Sequence, residues 1–96
     1  MSAPYESSIT TAFTALGEWA GLLEAISPAI TSWIEAKIPL EKQRIMDRRI
    51  RRCKRKCRKG GYNAGMILSR VNLDFPDLSD SLKADLVNLL DSELNR

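Results

Sequence analysis

The sequence contains no histidine and only two cysteines, Cys53 and Cys57. Without histidine the commonest metal ligand and general base are missing, and two thiols are too few for a disulfide framework or a complete zinc site. A four-thiolate site would need a second copy of the chain. No carboxylate pair or nucleophile with an adjacent base stands out. The glycine-rich stretch Gly60-Gly61-Tyr62-Asn63-Ala64-Gly65 lacks the Lys-Ser or Lys-Thr that a phosphate loop requires. The expectation is a protein that is not an enzyme and uses no cofactor or metal. No cation precedes Lys37, so the early part of the chain does not read as a secretory signal, and a cytoplasmic or virion-associated location is expected. The two cysteines read as small, half-buried seam residues, consistent with a reducing compartment; the surrounding cations should favour the thiolate, which would open them to oxidation in a non-reducing setting.

What the sequence does have is a division of charge. Residues 42 to 59 hold eleven Lys and Arg against one acid, Asp47, a net of +10. Residues 1 to 41 are at −4, residues 60 to 73 add only Arg70, and the segment from Asp74 onward is again at −4. The overall +3 hides a basic block between two acidic arms, which points to a polyanionic partner, nucleic acid or an anionic membrane. A 96-residue chain also buries only roughly 60 to 65% of its unfolded surface, so an assembly or partner would add stability that a small core lacks.

The periodicity is helical almost throughout and nowhere alternates like a strand, which predicts an all-α fold. From Ser8 to Lys37, Ile9, Phe13, Leu16, Trp19, Leu23, Ile26, Ile30, Trp33 and Ile34 recur at helical spacing. Pro28 opposes the carbonyl of Glu24, so a kink or break is expected at Ser27, which can cap a new helix. Pro39 is expected to open the basic helix and Gly60-Gly61 to end it. A shorter helix is read over 64 to 73, a turn at Asp74-Phe75-Pro76-Asp77, and a last helix capped by Asp77 or Ser79. That helix has Leu82, Leu86, Leu89, Leu90 and Leu94 on one face and Asp80 and Asp85 near its positive end. Three segments follow: an amphipathic docking or oligomerisation helix (1–38), a basic polyanion-binding helix (39–61) and an acidic helical segment (62–96).

On the basic helix, Gln43, Met46, Ile50, Cys53 and Cys57 share an arc of about 80°, a thin seam for docking on a body or a twin. The candidate nucleic-acid-binding residues fill the rest of the circumference: Lys42, Arg44, Arg48, Arg49, Arg51, Arg52, Lys54, Arg55, Lys56, Arg58 and Lys59. Arg supplies most of them, and its planar fork suits phosphate and guanine. Six like-charge i,i+4 pairs cost on the order of 2 kcal/mol together, a cost that phosphates would remove. Partial fraying of the free helix is therefore expected. Tyr62, just past the glycines, is a candidate for stacking on an unpaired base.

The N-terminal segment is read as part of a protein core or as a helix–helix contact, with Phe13, Leu16, Trp19, Leu23, Ile26, Ile30 and Trp33 as the candidate interface toward another copy or a larger assembly and simple core packing as the other role of Trp19 and Trp33. Gly17, Gly21 and Ala25 would permit close approach of a second helix. A membrane span over residues 9 to 34 is the alternative. Its eight Leu, Ile and Phe contribute about −4 kcal/mol, and Glu18 and Glu24 cost about +5, so spanning is unfavourable for a lone helix. A third reading has the acidic, leucine-bearing tail docking a partner or folding back on the basic helix as a shield. The plan is similar to that of small nucleic-acid-associated structural proteins, including minor virion components of phages and viruses, a resemblance of composition that rests on no specific motif. The leading expectation is a small non-enzymatic nucleic-acid-binding structural protein, DNA or RNA, held to itself or to an assembly by its first helix. The runner-up is a membrane-associated structural protein whose basic block lies on anionic head groups.

Overall fold

A computed structural model describes residues 24–61 and 63–95. Four helices make up 79% of these residues, with no strand among them, so the fold is all-α. They are α1 (Pro28–Lys37), α2 (Leu40–Lys59), α3 (Ala64–Asp74) and α4 (Asp80–Leu94).

Each boundary has a local cause. Glu24 to Ser27 are non-helical, and Ser27 caps α1 by accepting from the Ile30 amide at 3.4 Å, with Pro28 in the first turn where its missing N–H costs nothing. Ile38, kept extended by the proline after it, ends α1. Pro39 is the N-cap of α2 and not its first helical residue, and Gln43 Nε2 donates to the Ile38 carbonyl at 3.0 Å, tying this corner together. Past α2 the backbone takes φ +66 at Gly61, a conformation that L side chains rarely adopt. Asn63 caps α3 through the Met66 amide at 2.9 Å. Ser79, not Asp77, caps α4, accepting from Leu82 at 3.3 Å.

The helices converge on one core. It takes Ile30, Trp33, Ile34 and Ile38 from α1 and its cap, Met46, Ile50, Cys53 and Cys57 from α2, Ile67, Val71 and Phe75 from α3 and its cap, and Leu86, Leu90 and Leu94 from α4. Apart from the adjacent Trp33 and Ile34, every set steps by three or four residues, so each helix turns a single stripe inward. α2 contacts all three other helices, and α1 also touches α4, where Trp33 Nε1 donates to Asp85 Oδ2 at 3.1 Å. The seam expected on the basic helix is therefore its core stripe, with Gln43 at the edge.

The contact residues expected on the first helix need correcting where they can be seen. Ile30 is fully buried and Trp33 nearly so, both inside the chain's own core, and Ile26 packs against its rim. The physical reason is the break before Pro28: α1 is a separate ten-residue helix that can turn its apolar face onto α2 and α4. Phe13, Leu16, Trp19 and Leu23 lie outside the described residues, as do most of the candidate span and Tyr62. Among the described residues no helix is long and apolar enough to cross a membrane.

Because Ile50 is fully buried where α2 enters the core, Ile50→Ala should lower unfolding stability by about 2 to 5 kcal/mol. Urea denaturation followed by circular dichroism measures this, and a loss below about 1 kcal/mol would contradict the packing described.

Candidate functional site on the basic helix

α2 carries its charges in three strips. Taking 100° per residue, the buried Met46, Ile50, Cys53 and Cys57 occupy an arc of about 60°. Opposite them, within about 80°, lie Arg44, Arg48, Arg52, Arg55 and Lys59 at 4-4-3-4 spacing. None of these five makes an ion pair with a described residue. Arg44, Arg48 and Lys59 are exposed, and Arg52 and Arg55 half-buried. At about 1.5 Å per residue the line runs about 22 Å.

Between line and seam, all the remaining cations but Lys42 are paired, Arg51 with Asp47 of the same helix and the others with acids from elsewhere in the chain. On one flank are Arg51, Lys54 and Arg58. Lys54 Nζ donates to Glu93 Oε1 at 2.9 Å and to the Ala25 carbonyl at 2.5 Å, and lies 3.7 Å from Glu24. Arg58 bonds Glu24, and Arg51 bonds both Asp47 and the Glu24 carbonyl. Glu93 is itself held by the Ser27 amide at 3.1 Å and hydroxyl at 2.9 Å, so the non-helical strap before α1, the middle of α2 and the end of α4 meet at one buried cluster. The Lys54, Glu24 and Glu93 side chains are only 8%, 5% and 8% exposed.

On the other flank, Arg49 grips Asp77 with both terminal nitrogens, at 3.0 and 2.7 Å, reaches the Asp74 carbonyl at 2.7 Å and lies over the Phe75 ring at 4.7 Å. The Asp77 hydrogen bond keeps Arg49 charged, and the same bond holds the Asp77 carboxyl down to about 2. Lys56 stands 3.9 Å from Asp74.

The expected binding set therefore divides. Lys54 is buried and committed to two carboxylates, so it is not part of the exposed cationic face; it sits at the border of the seam, where a long side chain is drawn inward by acids from remote segments. Arg49, Arg51, Lys56 and Arg58 remain partly accessible but carry counterions, and Lys42 is exposed on the flank of Arg49 and Lys56, off the line. The acidic tail folds back on the basic helix, as the shield reading expected, yet Asp74, Asp77 and Glu93 cover the flanks and leave the central line open. Cutting the tail after Leu73 would also remove Phe75, Leu86, Leu90 and Leu94 from the core. Glu24 and Glu93 were not among the sequence candidates, and their only signal is that each is an isolated acid beside apolar core positions.

The cysteines are fully buried. A hydrogen bond with Cys57, and then burial, push the Cys53 thiol up, against the expectation that nearby cations favour its thiolate; the same bond lowers Cys57, with help from Arg70 and opposed by burial. No group of metal-binding side chains forms among the described residues, and buried thiols could not meet those of a second copy.

The sequence matches no protein-family model, and comparison with curated proteins and with solved structures found no match. What the fold and the charge pattern define is a class: a small all-α protein in which, among the described residues, four helices pack together and the basic one is neutralised on both flanks and bare along one line.

Lys54→Met should cost about 3 to 5 kcal/mol by leaving buried carboxylates without their ammonium, whereas Arg48→Gln, on the exposed line, should change stability by less than about 0.5 kcal/mol. Comparing the two urea midpoints checks the division of the helix into paired and bare strips. The depressed Asp77 carboxyl stabilises the fold above its unfolded pKa of about 4, and that contribution is lost as pH falls through about 2. Asp77→Asn should remove this part of the acid sensitivity, less than about 1 kcal/mol because the pair is exposed, seen as a smaller stability difference between pH 5 and pH 2.

Proposed function

We propose that this is a small non-enzymatic nucleic-acid-binding structural protein that lays the bare line of α2 along phosphates. One observation carries the reading: of eleven cations on this helix, the five with described counterions flank the core, and of the six with no ion pair to a described residue, all but Lys42 stand in a single row. A merely solvated basic helix gains nothing from such sorting. The row keeps the like-charge neighbours Arg44/Arg48, Arg48/Arg52 and Arg55/Lys59, whose mutual repulsion phosphates would relieve. Four of its five members are Arg, suited to forked contact with phosphate oxygens. No described aromatic side chain shares the row, so binding would come from charge neutralisation and not from base stacking. The segment preceding α1 would attach the protein to another copy or to a larger assembly such as a virion, and a cytoplasmic or virion-associated setting follows. An anionic membrane surface is the alternative partner, favoured by Leu40 and Ile45, two exposed apolar residues on the same helix.

Fluorescence anisotropy of a labelled oligonucleotide across a salt series tests the reading. With five phosphates contacted, log affinity against log salt should fall with a slope of about −3.5 to −4.5, and replacing Arg44, Arg48, Arg52 and Arg55 by Gln should flatten it by about 3. An unchanged slope in the variant, or binding confined to anionic vesicles, would refute it.

A further inference from the structure

Beside the bare line, α2 and the end of α3 enclose an open cavity of about 170 Å³ lined by Arg49, Arg52, Lys56 and Asp74. Its cations are not equivalent. Arg49 is immobilised by Asp77, the Asp74 carbonyl and the Phe75 ring, so it contributes a fixed charge on the wall. Among the described residues Arg52 has no ion pair, and Lys56, at 3.9 Å from Asp74, is beyond hydrogen-bond distance, so no described acid takes up the donors of either. Asp74 is the one acid of the lining, and Arg70 approaches it at 3.6 Å from the side of α3. The lining sets Arg49, Arg52 and Lys56 against Asp74, and Arg70 and Asp77 just outside it offset each other, leaving two positive charges uncompensated at the cavity.

We infer that this cavity is a seat for one phosphate dianion, either free phosphate or a terminal phosphate monoester. A monoester carries about −1.5 to −2 at neutral pH and presents three acceptor oxygens, matching both the excess charge and the open donors of Arg52 and Lys56. A backbone diester, with a single charge, leaves half of that excess unmatched and binds more weakly. The seat shares Arg52 with the bare line, but Arg44, Arg48 and Arg55 are not part of its lining.

The test is a ¹H–¹⁵N NMR titration of the full chain with inorganic phosphate, ionic strength held constant with chloride, in the wild type, Arg52→Gln and Arg44→Gln. The expected result is saturable shifts centred on Arg49, Arg52 and Lys56, weakened about tenfold or more by Arg52→Gln, which removes a charge-assisted contact, and untouched by Arg44→Gln. Dimethyl phosphate should bind several-fold more weakly. The spectrum itself reports whether each variant is folded. Non-saturating shifts spread over all arginines, equal losses in both variants, or equal affinity for the diester would overturn the seat. A 5′-phosphorylated oligonucleotide compared with its 5′-hydroxyl twin then separates the terminal monoester from free phosphate as the source. Oligonucleotide binding without localised phosphate shifts would sink the seat and spare the nucleic-acid reading; saturable phosphate shifts without oligonucleotide binding would do the reverse.

Discussion

Everything in this fold depends on keeping one crowded basic helix folded and in the centre. α2 contacts every other helix and contributes Met46, Ile50, Cys53 and Cys57 to the core, yet it carries ten net positive charges within eighteen residues. Helical repulsion alone would fray it. The chain opposes that repulsion with acids brought from far away in sequence: Glu24 from the strap, Glu93 from the end of α4, Asp74 and Asp77 from the corner between α3 and α4.

The position of those acids has a second effect. They lie beside the core stripe because the segments that bear them are held there by packing, so neutralisation reaches only the flanks of α2. The far side stays positive by geometry. At the Lys54 cluster the arrangement is also costly to disturb: a buried lysine between carboxylates contributes little net stability against an apolar replacement of the whole group, but removal of one partner strands the others. Such a cluster serves register better than strength, fixing where the strap crosses α2 and where α4 ends.

Much of this was legible in the residues. The seam Met46, Ile50, Cys53, Cys57, the cap at Ser27, the corner at Pro39, the stop at Gly60-Gly61 and the leucine face of the last helix all depend on neighbours within a few positions, and local stereochemistry dictates them. One reading failed, and another, in which a contact stood beside core packing, resolved to the core, for a shared reason. Lys54 looked like one more surface cation and Ile30 and Trp33 looked like an outward contact, because periodicity says which residues share a face and not what that face meets. Lys54 is drawn in by a carboxylate thirty-nine positions away; Trp33 finds Asp85 across fifty-two.

By itself, then, the sequence determined an all-α chain, its breaks, the inward stripe of each helix and a basic block too dense to be incidental, since propensity, proline and glycine geometry and charge count act locally. Only the tertiary structure decided which cations are spent inside the molecule and which remain in line on its surface. Ion pairing falls off within a few ångströms, and proximity on that scale between distant segments exists only once the core has formed.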